Sequence, residues 1–356
     1  MKRQKLYFIA ACLLAVLAVF TLIAKKGGFN KSQNAQDLST LFAVSDTSCI
    51  TKIFMADMYE NKVLLTKTAA GWEVDHTKPA AEYKIKDLLQ TLIAVRVSHT
   101  VAKKAQQSII KLLSIKSTKV EIYANTPLFS LFGRPFFTKE RLLKTYYLGD
   151  ATQNNMGSYA LLEGMPEPYV IYKPGFRGYI TPQFSADPVD WYSQRIFDTK
   201  LTRIQTASFI DFENPNNTFY VEKSGPRTFT LFDAQKNVVM DYDTLQLINM
   251  LAEFRDKNYE QLLFKMPPLR KDSILQSKCL KIISLTDIYD KTTTLKFYPL
   301  LHSDLYEDAD EIDEFYNTYS RERAYATIND NQNEIYTIQF YHFARQIQPL
   351  SYFLKQ

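Results

Sequence analysis

The residues that most readily suggest catalytic or metal chemistry in this chain are four histidines, three cysteines and one run of carboxylates, and a Ser/His/Asp set assembled from distant residues stays open beside them. His76, His99, His302 and His342 stand singly, with no His-Glu-x-x-His and no Cys-x-x-Cys, so no stretch offers closely spaced nitrogen and sulfur ligands of the kind zinc takes. Asp304, Glu307, Asp308, Asp310, Glu311, Asp313 and Glu314 could present oxygens to calcium. Their spacing lacks the alternating ligands and turn glycine of an EF-hand, and Ile312, Phe315 and Tyr319 among them favour a short helix with a solvated acidic face. Gly-x-Ser-x-Gly and the phosphate- and dinucleotide-binding glycine patterns are also missing, and ten glycines leave little capacity for such loops. The expectation is a non-enzyme, with no catalytic residue, cofactor or metal ligand assigned.

The segment with the strongest claim to function is apolar. Pro127-Leu128-Phe129-Ser130-Leu131-Phe132-Gly133-Arg134-Pro135-Phe136-Phe137 places four phenylalanines in one connection, with Lys139 and Arg141 following. An exposed aromatic and basic loop suits a partner groove or a membrane interface. The opposing reading is a plug that folds back onto a sheet edge. The candidate interaction residues are Phe129, Phe132, Arg134, Phe136, Phe137 and Lys139.

These residues need an element to hold them, and the chain opens with one of a different kind. After Lys2, Arg3 and Lys5, the stretch Leu6 to Ala24 carries no charge and ends at Lys25-Lys26. Nineteen helical residues rise about 28 Å, close to the hydrocarbon thickness of a bilayer, which predicts an uncleaved transmembrane helix. The rival is a lipoprotein signal at Ile9-Ala10-Ala11-Cys12. Basic residues lie on both sides, slightly denser before the stretch, so the expected orientation is N-terminus inside and the rest of the chain outside. The localisation is then the cytoplasmic membrane, single-pass, with an extracytoplasmic domain. The net charge of +5 does not signal a nucleic-acid binder, because residues 1–31 hold six basic and no acidic residues and leave 32–356 at −1. With Cys12 in the membrane, Cys49 and Cys279 read as two buried thiols, with a single bridge as the alternative.

Past a polar tether over 25–45, strand patterns occur at Ile50 to Asp57, Lys62 to Thr68 and Gly71 to Val74. A helix follows, with an apolar stripe of Ile85, Leu88, Leu89, Leu92 and Ile93. A second helix near Gln106 to Leu113 and strands at 119–123, 145–149, 158–162 and 169–172 complete a first set. A similar order returns from Ile204, where Leu247, Ile248, Leu251 and Arg255 fall on Leu88, Leu89, Leu92 and Arg96 at an offset of 159. The expected fold class is therefore α+β: an N-terminal transmembrane helix followed by two tandem, similar antiparallel sheet-plus-helix units. The expected boundaries are anchor 1–24, tether 25–45, first unit 46–190, connector 191–199 and second unit 200–356.

The Gly71-Trp72-Glu73-Val74 strand, Asp87-Leu88-Leu89 leading to Leu92, Gly157-Ser158-Tyr159-Ala160-Leu161-Leu162-Glu163-Gly164, Pro168-Tyr169-Val170-Ile171 with Pro174-Gly175-Phe176, and Trp191 through Arg195-Ile196-Phe197 together resemble domain of unknown function family 4340. The resemblance implies a single-span envelope protein of Bacteroidota-like bacteria, related to components encoded beside ABC transporter and gliding-motility auxiliaries. It brings no catalytic residues. The expected function is a membrane-anchored envelope protein whose outer domains bind a protein partner, with no nucleic acid and the small-molecule ligand left open. The alternative is a glycan- or lipid-binding module using the abundant tyrosines and phenylalanines.

Overall fold

The computed structural model describes residues 38–131, 134–302 and 318–355. The chain divides into two compact units, one up to Ser193 and one from Gln194.

In the first unit, alternation of apolar and polar residues builds the strands. β1 (Ile50–Ala56) buries Ile50, Ile53 and Met55, β2 (Lys62–Thr68) buries Val63 and Leu65, and β3 (Gly71–Val74) and the short β4 (Lys78–Pro79) continue the meander. α1 (Glu82–Ala94) leads to β5 (Arg96–Thr100), and α2 (Lys103–Ile115) leads to β6 (Thr118–Leu131), β7 (Arg134–Ala151), β8 (Ser158–Leu162) and β9 (Tyr169–Tyr172). The nine strands pair antiparallel throughout in the order β4-β3-β2-β1-β6-β7-β8-β9-β5. On α1, Ile85, Leu88 and Leu92 are buried at helical spacing, whereas Leu89 is half-buried and Ile93 is 44% exposed. The expected stripe is thus narrower than its apolar residues suggested. Phe42, ahead of β1, is fully buried edge-on to Tyr146 and Tyr169 at 5.7 and 5.8 Å.

The second unit contains β10 (Arg195–Phe197), β11 (Ile204–Asp211), β12 (Phe219–Lys223), β13 (Phe229–Phe232), α3 (Thr244–Ala252), β14 (Lys257–Asn258), β15 (Gln261–Leu262), α4 (Pro268–Gln276), β16 (Lys281–Asp287), β17 (Thr292–Tyr298), β18 (Arg323–Ile328) and β19 (Tyr336–Gln339). Eight of these strands form an antiparallel sheet in the order β13-β12-β11-β16-β17-β18-β19-β15, and β10 pairs with β14. The carboxylate of Asp243 caps α3 by accepting from the backbone N–H groups of Leu245 and Gln246. Leu247, Met250 and Leu251 are buried on it, and Ile248 is half-buried.

The expected α+β class is corrected by these elements. Both units are mostly antiparallel sheet, and the helices α1 to α4 are few and short, serving as links between strands. The 3.6-residue periodicity at Ile85 to Leu92 marks a real helix, but one that contributes little of the framework. No helix among the described residues is long and apolar enough to cross a membrane. The expected transmembrane helix at Leu6 to Ala24 lies outside the described residues, as does most of the tether. In the first sheet the chain leaves β4 through α1 to reach β5 at the far edge, in the second it leaves β13 through α3 and β14 to reach β15 at the far edge, and α2 and α4 then return it beside β1 and β11.

Candidate functional site

The aromatic segment is built into strands. β6 and β7 run 14 and 18 residues and pair from Thr118↔Leu148 out to Phe129↔Phe136, Ser130↔Pro135 and Leu131↔Arg134. Support from neighbouring strands ends much earlier. β1 accompanies β6 only to Ala124, with one further bond from the Asn125 N–H to the Cys49 carbonyl at 2.9 Å. β8 accompanies β7 only from Tyr146 onward. Residues Thr126 to Leu131 and Arg134 to Lys139 therefore form a two-stranded ribbon beyond the sheet, about 20 Å long at ~3.4 Å per residue. In the second unit the equivalent hairpin, β16–β17, has seven-residue strands closed by a turn over Ile288 to Lys291.

The sequence reading expected a loop here, and Pro127, Gly133 and Pro135 within it are residues that ordinarily interrupt strands. Proline is tolerated on strands whose outer edge has no neighbour, and both strands of the ribbon are such edges. Of the candidate residues, Phe129 pairs with Phe136 and Arg134 with Leu131 on the ribbon, Phe137 lies on β7, Phe132 lies outside the described residues, and Lys139 is exposed opposite Thr126.

The base of the ribbon is tied down by polar contacts. Glu140 pairs with Lys52 Nζ at 2.8 Å and accepts from Thr51 Oγ1 at 2.6 Å, which joins β7 to β1. The Lys52 and Thr51 donors hold its carboxyl below the ordinary glutamate value. Lys144 Nζ donates to the carbonyls of Leu41 and Ala43 at 2.5 and 2.7 Å, and burial pushes its amine pKa down. The segment through which the N-terminal part of the chain joins the fold is thereby bound beside the ribbon base. Tyr146, next along β7, is 1% exposed, and its hydroxyl has no hydrogen-bond partner among the described residues. Burial pushes its ionisation far above the ordinary tyrosine value.

The residues considered for chemistry do not converge. Among the described residues no group of three His, Cys, Asp or Glu side chains could hold a metal ion. The acidic run from Asp304 to Glu314 lies outside the described residues. Cys49 and Cys279 are free thiols, each half-buried where full burial was expected, and desolvation pushes the Cys279 thiol pKa up. Sequence reasoning did not single out three exposed apolar residues at or near the bridge between Tyr242 and Leu354: Met240 is 87% exposed, Leu245 65% and Leu354 40%. They come from two distant segments, so no single stretch announces them.

The family model for a domain of unknown function, DUF4340, matches residues 66–271, more than half of the chain, from within β2 to within α4. No curated protein and no solved structure matches. On that match, this chain belongs to the DUF4340 family.

Proposed function

We propose that this chain is a non-enzymatic, membrane-held envelope protein whose domains outside the cytoplasm bind a protein partner, as an auxiliary of an ABC transporter or gliding-type complex. The observation that carries this reading is the ribbon of Thr126–Leu131 and Arg134–Lys139, which extends past every neighbouring strand and so contributes no ladder to the sheet. A two-stranded ribbon in water is marginally stable by itself, and one rich in phenylalanine gains stability when a second surface covers it. Its unaccompanied edges also offer backbone N–H and C=O groups to an added strand. The apolar stretch Leu6 to Ala24 supports attachment at the membrane, and the basic residues before it support the outward orientation.

A photo-crosslinking residue at Lys139, exposed on the ribbon, tests the reading in intact cells against a control at Tyr289 in the short β16–β17 turn. The expected result is one discrete crosslinked protein from position 139 and none from 289. Equal, diffuse crosslinking from both would overturn it. Protease added to spheroplasts should degrade the folded units, and their protection until the membrane is permeabilised would overturn the orientation.

A further inference from the structure

We propose that a cavity at the β5 edge of the first sheet is a binding site for a neutral sugar. The cavity measures about 400 Å³, within the range of small-molecule sites. Its floor is one cross-strand row: Tyr159 on β8 pairs with Val170 on β9, which pairs with His99 on β5. β5 is the last strand of the sheet, and its register shifts between Val97 and His99, so a bulge there carries Ser98 to the rim. The facing wall is the turn after β7. In it the Asn154 side-chain oxygen accepts from Thr152 Oγ1 at 2.7 Å and from the Met156 N–H at 3.1 Å. The turn returns to β8 through Gly157, where a Cβ would lie 2.9 Å from both the Ile171 carbonyl oxygen and Val170 Cγ1, so only glycine lets the wall close on the floor.

The lining decides the class of ligand. No Asp, Glu, Lys or Arg side chain lines this cavity, and the His99 ring is held through Nδ1 by the Ser98 hydroxyl at 3.0 Å, so an ionic ligand would find no permanent counter-charge. What it offers is an apolar side, where the half-buried Tyr159 ring packs against the cluster of Val101 and Val170 beside Ala102, Ala105 and Met156, and a polar side of hydroxyl and amide groups. The Gln153 amide and the Tyr159 hydroxyl carry no hydrogen bond among the described residues, and the Asn154 oxygen fixed in the turn leaves its NH₂ available. An aromatic face for sugar C–H groups, with side-chain amides that both donate and accept, matches a pyranose bearing hydroxyls around an apolar ring face. The site is separate from the ribbon and independent of the docking reading.

The test is saturation-transfer NMR on the full chain in nanodiscs, with N,N′-diacetylchitobiose and maltose as neutral probes and glucose 6-phosphate as a charged one. At least one neutral disaccharide is expected to show transfer and the phosphorylated sugar none. Gln153→Ala, at an exposed side chain that holds nothing in the fold, should weaken the neutral sugar about tenfold, the size of one hydrogen-bonded contact. Tyr159→Leu keeps apolar volume on the floor and should remove binding. Absence of transfer from both neutral sugars, or binding unaltered in the Gln153→Ala, Tyr159→Leu double variant, overturns the proposal. A shortened ribbon should leave sugar binding intact.

Discussion

Replacing Tyr146 by phenylalanine should make the protein more stable, although it deletes a polar group from a well-packed core. The ring is 1% exposed and packs edge-on to Phe42 at 5.7 Å and Phe184 at 6.2 Å. Its hydroxyl has lost water and, among the described residues, gained no partner. An unmet buried hydroxyl costs about 1–3 kcal/mol, and the single-oxygen void left by its removal returns a fraction of that. The expected net gain is about 1 kcal/mol, or ~2–4 °C in Tm for a unit of this size. Tyr146→Ala, which deletes the ring and its edge contacts as well, should instead cost roughly 3–5 kcal/mol. Urea unfolding of the full chain, with a common slope required for all three proteins, gives both differences. A Tyr146→Phe variant less stable by 1 kcal/mol or more would refute the reasoning, because it would mean that the hydroxyl is bonded in solution.

Leu92→Ala and Leu251→Ala, each at a fully buried position of a crossing helix, should each cost about 2–5 kcal/mol in urea unfolding, whereas Leu89→Ala and Ile248→Ala at half-buried positions should cost less. Glu140 has its carboxyl held below the ordinary value of 4.5, so the stability it contributes is present above that pH and is lost as the pH falls through the lower folded value. Glu140→Gln should flatten the pH dependence of unfolding below about pH 4.5, and an unchanged slope there would show that the Lys52 and Thr51 contacts do not act on it.

Much of the strand pattern was readable from local alternation. The strands read at 158–162 and 169–172 coincide with β8 and β9, and those read from Ile50 and Lys62 coincide with β1 and β2 within a residue. β5 was missed because it follows the Ile85 to Ile93 stripe with no turn residues between, Val95 alone leading the chain from the helix into an edge strand. α4 was missed because it buries only Ile274 and so has almost no apolar stripe. The helices that were read carried too much weight, since periodicity marks where a helix lies and not how little of the framework it forms. The ribbon was legible as aromatic composition but not as backbone, because proline and glycine signal a loop unless the absence of neighbouring strands is known. The cavity had no sequence signature at all. His99, Tyr159 and Val170 come from different strands and meet through sheet register, and Gln153 joins them from the turn after β7.

The most direct test of the docking account is to replace residues 126–139 by the four-residue turn Ile288-Tyr289-Asp290-Lys291 that closes the equivalent hairpin of the second unit. The ribbon contributes no rung to the rest of the sheet, so the shortened chain should unfold within a few degrees of the parent and lose its crosslinked partner in intact cells. A shortened chain that keeps the partner at the parent's level would contradict the account, and so would one that fails to fold, since the ribbon would then be a structural part of the sheet.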